Sequence, residues 1–148
     1  MNKDKLREEI AEDEGRKYEI YLDHLGLPTC GIGHLITETD KEHGKPVGTV
    51  VEQDRVQNLF ALDMAVTIDE CKVLYPDFDD LPEEAQHIIC NMMFNMGRPR
   101  LSKFKGMKAG VDARDWNKAA DEMVDSKWYT QVPNRARRLV DRMRALAD

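Results

Sequence analysis

Five carboxylic acids lie within residues 12–34, EDEGRKYEIYLDHLGLPTCGIGH. Two carboxyl groups in opposite protonation states can cut a glycosidic bond, because one protonates the leaving oxygen while the other activates water or attacks the sugar. The alternative is that these acids form the solvated surface of an acidic protein, since the chain has a formal net charge of −6. The elements that carry the acids therefore have to be identified.

The first acids belong to a predicted helix over residues 3–14. Its apolar residues recur at helical spacing: Leu6, Ile10 and Ala11. Continuing this stripe by three or four residues from Ile10 reaches Asp13 or Glu14, and Ala11 tilts the stripe toward Glu14. Periodicity thus leaves two candidates, with Glu14 slightly ahead. Both lie in the last helical turn, where the helix dipole and partial burial disfavour an ionised carboxyl group, as a general acid requires.

A second candidate, Asp23, ends the segment YEIYLD (18–23), whose alternation of apolar and polar residues predicts a half-buried strand. The turn HLGLP follows, and an aspartate beside a turn commonly accepts backbone hydrogen bonds. Asp23 alone therefore indicates little. Together with an acid at the end of the helix, it would give the carboxyl pair two different environments.

Other residue types give no comparable signal. Gly31-Ile32-Gly33 lacks the third glycine and the helix of a dinucleotide motif. The four histidines form no H-x-x-x-H pair, so we predict no metal site. The three cysteines have largely apolar neighbours, and we expect buried free thiols at Cys30, Cys71 and Cys90.

These residues are expected to be positioned by an α+β fold. The strand 18–23, a return strand over 29–36 and a third strand at 49–51 form a small antiparallel sheet, and residues 38–48 are polar and turn-rich. Helices are predicted over 53–74, 82–96, 101–108, 112–125 and 134–147. We expect one domain, residues 1–148, with a β-rich lobe (about 15–52), a connecting helix (about 53–74) and a helical lobe (about 76–148) that includes the helix 3–14. A cleft between two such lobes would suit a polymer.

Composition and charge limit the kinds of partner that we expect for this protein. Hydrophobic residues make up 41% and charged residues 34% of the chain, and no run approaches the roughly 20 apolar residues that a spanning helix needs. We therefore expect no stable membrane insertion. Residues 1–97 contain 9 Lys/Arg and 21 Asp/Glu, and residues 98–148 contain 13 and 7, so the basic part could face an anionic polymer. We do not expect this anionic polymer to be a nucleic acid, because the apolar stripe of the last helix predicts a core helix with its arginines in solvent.

The spacing of one acid pair with a threonine matches a known pattern. Glu14 is followed by Asp23 nine residues on and by Thr29 six further, and then by the sequence GIGHL. Further similar segments come in the same order, above all NMMFNMG (91–97) and SKWYTQVPNRARR (126–138). In these motifs the chain resembles the phage-type lysozymes, the endolysin family typified by the T-even phage enzyme, over most of its length. The resemblance implies the two-lobed lysozyme-like fold.

The resemblance also implies an activity, hydrolysis of the β-1,4 bond between N-acetylmuramic acid and N-acetylglucosamine in peptidoglycan. Glu14 would protonate the leaving oxygen, and Asp23 with Thr29 would hold the attacking water on the opposite face of the sugar. An inverting reaction of this kind needs carboxyl groups roughly 6.5–9.5 Å apart. A monomer without a cofactor would suffice.

Supporting roles follow from the same resemblance. His34 would form an ion pair with Asp63, an acid on an otherwise apolar helix face, and Arg135 would lie near Glu14. The alternative for Arg135 is a solvated side chain. Leu35 and Phe94 match positions that line the substrate cleft, although a core role fits each equally well.

The biological setting implied is lysis of the host bacterium. The protein would be made in the cytoplasm and released to the wall by a separate pore-forming protein, a holin, because the opening residues lack the apolar stretch of a secretory signal. Two other functions remain open. One is a lytic transglycosylase, which uses one acid and leaves an anhydro sugar, and the other is a non-catalytic wall-binding or tail-structural module of the same fold.

Overall fold

A computed structural model describes residues 1–148 and confirms the α+β class. The helices are α1 (Lys3–Glu14), α2 (Gln53–Leu74), α3 (Glu83–Leu101), α4 (Lys105–Asp112), α5 (Trp116–Val124), α6 (Lys127–Gln131) and α7 (Pro133–Ala145), and the strands are β1 (Lys17–Leu22), β2 (Pro28–Gly31) and β3 (His34–Leu35). The chain divides into two compact units. Residues 3–66 form the sheet unit, and residues 1–2 with 67–148 form the helical unit. No helix is long and apolar enough to cross a bilayer.

The N-terminal helix α1 belongs to the sheet unit, which differs from the grouping expected from sequence. Its apolar stripe is buried as predicted: Leu6, Ile10 and Ala11. The helix closes at Gly15, which has a φ of +76° and donates its N–H to the carbonyl oxygen of Ala11 at 2.9 Å. Only two residues then separate α1 from β1, so the helix stays with the sheet that follows it.

The sheet has the order β1-β2-β3, and both pairs are antiparallel. The return strand expected over 29–36 is broken, because Gly31 and Gly33 each have a φ of +63° and turn the chain between β2 and β3. A Cβ atom at Gly31 would lie 3.1 Å from Cγ1 of Val56, so this glycine also admits the buried Val56 side chain of α2. The break therefore produces β3, which was not predicted.

The third strand expected at 49–51 was wrong. Here the chain forms only an isolated bridge between Glu19 and Val50, with backbone bonds from Ile20 to Thr49 and from Val51 to Tyr18, both 2.9 Å long. Gly48, with a φ of +93°, turns the chain immediately before this bridge. Pairing therefore does not extend into a strand.

The polar segment 38–48 contains no strand, in agreement with its turn-rich sequence. It is fixed by Glu42, whose buried carboxylate accepts from Nε and Nη2 of Arg55, each at 2.9 Å. The bonds from Arg55 lower the pKa of Glu42, although burial opposes them. This two-bonded pair ties the segment to α2.

The core of the helical unit is α3. Residues 85–93 of this helix are all buried, as its broad apolar surface predicted. Pro82 is the N-cap residue and not the first helical residue that we expected. Gly97 stops the helix as predicted, since its φ of +79° and ψ of 162° are not helical, and a short helical turn continues to Leu101.

Around α3, several boundaries differ from those predicted. The helices expected over 101–108 and 112–125 are α4 and α5, and the helix expected over 134–147 is α7. Both α6 and the 3₁₀ turn Phe78–Asp80 were missed. The Ser126 side chain caps α6 by accepting from the N–H of Tyr129, a local signal too short to give an apolar period.

All three cysteines are buried free thiols, as expected. Cys71 and Cys90 meet in the helical unit with their sulfur atoms 3.7 Å apart. Burial first, and then the charge of Glu42, raises the pKa of Cys30 to about 11. A thiol with so high a pKa is a poor nucleophile near neutral pH.

Candidate active site

Glu14 is the last residue of α1, where the sequence placed it. Its side chain is half-buried and lies against Gly33, in the turn between β2 and β3. The neighbouring Asp13 is also half-buried, so exposure by itself does not separate the two acids. The contact with the glycine turn connects Glu14 to the strands that carry the other candidate residues.

Asp23 follows β1 and holds the hairpin that joins β1 to β2. Its Oδ1 accepts from the backbone N–H groups of Leu25 and Leu27, at 2.8 and 2.9 Å. Its own N–H donates to the carbonyl oxygen of Leu27 at 3.0 Å, and its carbonyl oxygen accepts from Gly26 at 2.9 Å. Asp23 therefore accepts backbone hydrogen bonds in the turn, as considered from sequence. These bonds orient the carboxylate through Oδ1, so that Oδ2 is available for another donor.

Thr29 is joined to the same hairpin. Its side chain is buried, and its hydroxyl donates to the carbonyl oxygen of Leu27 at 2.9 Å. Because a hydroxyl has a single proton, this bond leaves Oγ1 as an acceptor toward any further partner. The Leu27 carbonyl thereby links Thr29 to Asp23, which donates its N–H to the same oxygen.

Tyr21 was not singled out from sequence, although it pairs with Thr29 across β1 and β2. Burial raises the pKa of the Tyr21 phenol, followed by the charge of Glu14 and, more weakly, those of Cys30 and Asp23. The phenol therefore lies within electrostatic range of both candidate carboxylates and stays protonated near neutral pH. Lys17 lies over the tyrosine ring, with Nζ 4.3 Å from its centroid.

His34 makes the predicted contact with Asp63, and a second acid joins it. Nδ1 of His34 lies 2.7 Å from Oδ2 of Asp63, and Nε2 lies 2.7 Å from Oδ2 of Asp40. Burial lowers the pKa of His34, but the hydrogen bonds to Asp63 and Asp40 outweigh it and raise the pKa to about 9. We call these three residues the His34 cluster, and the histidine in it is an imidazolium near neutral pH.

The residues expected to contact substrate are not core residues. Leu35 pairs with Thr29 across β2 and β3, and 48% of its surface is exposed. Phe94 lies on α3 in the helical unit and is half-buried. Of the two alternatives considered for Leu35, a core role is wrong, because a core side chain would be covered.

Arg135 is buried on α7, so the solvated alternative is wrong for it. Its Nε donates to Oδ1 of Asn91 at 2.7 Å, and Nη2 is 3.4 Å from the Asn91 carbonyl oxygen. Asn91 was missed from sequence, although the NMMFNMG segment that contains it was noticed. The approach of Arg135 to Glu14 stays a prediction. Two other arginines of α7, Arg137 and Arg138, are exposed, as expected.

The sheet unit therefore contains six of the predicted site residues: Glu14, Asp23, Thr29, His34, Leu35 and Asp63. Phe94 and Arg135 lie in the helical unit. Four participants were not predicted, namely Tyr21, Asp40, the Leu27 carbonyl group and Asn91. Strand pairing with Thr29 could have indicated Tyr21, whereas a loop acid such as Asp40 has no periodic signal.

Known proteins match most of this chain. The family model described as phage lysozyme matches residues 11–145, and the chain belongs to that family. Among relatives, it is 32% identical to probable T4-type lysozyme 2 of Dictyostelium discoideum, with 91% of each chain covered. It is 28% identical to the pre-baseplate central spike protein Gp5 of Enterobacteria phage T4, over 90% of this chain and 26% of that protein. It is 30% identical to peptidoglycan hydrolase gp36 of Pseudomonas phage phiKMV, over 93% of this chain and 15% of that protein.

Proposed function

We propose that this protein is a lysozyme that hydrolyses the β-1,4 bond between N-acetylmuramic acid and N-acetylglucosamine in peptidoglycan, with inversion at the anomeric carbon. Membership of the phage lysozyme family supports the substrate class. One observation supports the assignment of roles above all. Asp23 and Thr29 are both fixed by backbone groups of Leu27, its N–H and its carbonyl oxygen respectively, and each retains an acceptor oxygen.

Such a pair of acceptors suits a nucleophilic water. The water donates one hydrogen to Oδ2 of Asp23 and the other to Oγ1 of Thr29, so that a lone pair of its oxygen faces the anomeric carbon. As the C–O bond to water forms, the proton passes to Asp23. A positioned general base of this kind contributes roughly 10²- to 10⁴-fold to the rate.

Glu14 supplies the other proton. Its carboxyl group protonates the glycosidic oxygen while the bond from that oxygen to the anomeric carbon breaks, so that the leaving sugar departs as an alcohol. The cycle closes when the proton on Asp23 returns through solvent to Glu14.

The setting is lysis of a bacterial host. We infer that the protein acts on the wall as a monomer after a holin gives it passage from the cytoplasm. Exposed basic residues of the helical unit, including Arg137 and Arg138, suit an anionic wall polymer.

The test compares the purified protein with the variants Glu14→Gln and Asp13→Asn on isolated peptidoglycan in ¹⁸O-labelled water. Asp13→Asn is the matched control, because Asp13 is the neighbouring half-buried acid of α1. We expect the Glu14→Gln variant to lose about 10²-fold or more of the activity and Asp13→Asn to retain most of it. Mass spectrometry should find one ¹⁸O in the new reducing end, and NMR of the first products should find the α-anomer.

Each other outcome identifies a different function. Anhydro sugars without ¹⁸O would indicate a lytic transglycosylase. Binding of peptidoglycan without any turnover by the unmodified protein would indicate a wall-binding module. If Glu14→Gln retained full activity, the assignment of the general acid would be wrong.

A further inference from the structure

Gly33 faces the side chain of Glu14 at very short range. A Cβ atom at this position would lie 3.1 Å from Cδ and 3.3 Å from Cγ of Glu14, and closer still to Oε1. Non-bonded carbon atoms are optimally 3.5–4.0 Å apart, so a methyl group at Gly33 and the present position of the Glu14 carboxyl group exclude each other.

A positive φ alone does not distinguish Gly33 from the other glycines of the chain. Its φ of +63° favours glycine, but Gly44 has a φ of +80° and a Cβ atom there would meet nothing within 4 Å. Gly31 has the same φ as Gly33 but faces the hydrophobic side chain of Val56. Among the positive-φ glycines, Gly33 is the one whose Cα lies under a carboxyl group.

The surface that Gly33 presents is held in place on both sides. Before it, Gly31 ends β2, and after it, His34 begins β3 and is bound by both Asp40 and Asp63 at 2.7 Å. A glutamate side chain at a helix end has several rotatable bonds, so a fixed wall is an effective means of limiting its positions.

We propose that Gly33 is a positioning residue for the general acid. Its lack of a side chain lets the Glu14 carboxyl group rest on the β2–β3 turn, and the His34 cluster keeps that turn in place. The inference rests on the proposed role of Glu14. A displacement of a catalytic group by about 1 Å can reduce the rate by 10²-fold, which gives the expected size of the effect.

The first experiment compares Gly33→Ala with Gly44→Ala. Both variants place an alanine at positive φ, so both carry the same kind of backbone strain, but Gly33→Ala alone meets Glu14. We expect kcat on peptidoglycan to fall about 10²-fold in Gly33→Ala with little change in KM, and to change less than about threefold in Gly44→Ala. The ¹³C carboxyl resonance of Glu14 should move in Gly33→Ala alone.

A second pair covers the case in which alanine prevents folding. Gly33→Asn and Gly44→Asn use a residue that tolerates positive φ, and the asparagine still has a Cβ atom at position 33. The same differences in kcat and in the Glu14 resonance are expected.

The coupling to Glu14 is tested by a double-variant cycle. Glu14→Asp shortens the acid by one methylene group, so Gly33→Ala should reduce kcat far less in that background than in the unmodified protein. An equal reduction in both backgrounds, or an unmoved Glu14 resonance, would overturn the inference. If instead Glu14→Gln proved fully active, the proposed function would fail, while the resonance would still report whether Gly33 and Glu14 are in contact.

Discussion

The imidazole of His34 and the carboxylate of Asp63 are joined by a 2.7 Å hydrogen bond between β3 and the middle of α2. Asp40 binds the other ring nitrogen, also at 2.7 Å, so both nitrogens of the histidine face carboxylates. An imidazolium can donate through both nitrogens at once, whereas a neutral ring can donate through one. The geometry therefore requires the protonated form.

Stability should consequently depend on pH through His34. Its folded-state pKa of about 9 exceeds the ordinary value of 6.5, so the folded protein holds this proton more tightly than the unfolded chain. The stabilisation is complete below pH 6.5, declines as the pH rises, and is lost above about 9. We expect on the order of 1–3 kcal/mol from this cluster, measured as the difference in free energy of unfolding by urea between pH 6 and pH 9.5.

Removing either acid from the cluster should weaken this dependence. Asp63→Asn and Asp40→Asn should each lower the pKa of His34 in an NMR titration, while Glu38→Gln, an exposed change in the same segment, should leave it near 9. The carboxylate of Asp40 gives the opposite dependence of stability on pH. Burial raises its pKa, but the hydrogen bonds from the Thr37 N–H and from His34 outweigh burial and lower the pKa below its ordinary value. Its contribution is lost as the pH falls below about 4. A His34 pKa near 6.5 in the unmodified protein would contradict this account.

Two variants of Asp23 should separate its structural role in the hairpin from its proposed role as general base. Asp23→Asn retains an oxygen that can accept from Leu25 and Leu27, so its melting temperature should stay within a few degrees of the original. Asp23→Ala loses both bonds and should be destabilised by about 1–2 kcal/mol. Both variants should lose at least roughly 10²-fold of the hydrolytic rate, because neither has a carboxylate to accept the proton of water. Full activity of Asp23→Asn would exclude the general-base role.

Thr29 should contribute to kcat through its hydroxyl oxygen. Thr29→Ser keeps the hydroxyl bond to the Leu27 carbonyl and should retain kcat within several-fold, whereas Thr29→Val has a similar volume but no acceptor for the water. We expect Thr29→Val to lose roughly 10²-fold in kcat, an effect of the size seen when one positioned hydrogen-bonding group is removed from an active site. Equal kcat values for the two variants would show that the hydroxyl is not used.

Arg135 should contribute to stability through its planar head group. Arg135→Lys cannot reproduce the bond from Nε to Asn91, and a buried polar group left without its partner costs about 1–3 kcal/mol. The exposed Arg137→Lys is the control and should lie within about 0.5 kcal/mol of the original protein. Urea unfolding of both variants gives the comparison, and equal stabilities would refute the structural role of Arg135.

Helical periodicity in the sequence predicted most of the helices. The bounds of α1 and α2 follow directly from apolar residues spaced along one face, and Gly15 and Gly97 stop their helices as predicted. Helices α4 and α5 were displaced by a few residues, since short helices offer few turns over which to average. The short α6 was missed for the same reason.

The site divides in a similar way. Periodicity left Asp13 and Glu14 open and only nominated Asp23. The resemblance to the phage-type lysozymes selected Glu14, added Thr29 and implied that His34 meets Asp63, a contact that the structure confirms. The sequence did not reveal Asp40, which lies in the irregular polar segment 38–48. Nor did it reveal Asn91 as the partner of Arg135, because the two are 44 residues apart and on different helices.

The sequence by itself determined the fold class and the positions of most helices, since these depend on residue type and short-range spacing. Its resemblance to a known family nominated the residues for acid and base chemistry. Only the tertiary structure decided that the G-x-G segment is a turn under the Glu14 carboxyl group and that the backbone N–H and carbonyl oxygen of one residue, Leu27, orient Asp23 and Thr29. Such contacts depend on which backbone atoms approach after folding. A linear pattern of side chains does not record that approach, because the letter for glycine is the same whether its Cα faces solvent, a valine or a carboxyl group.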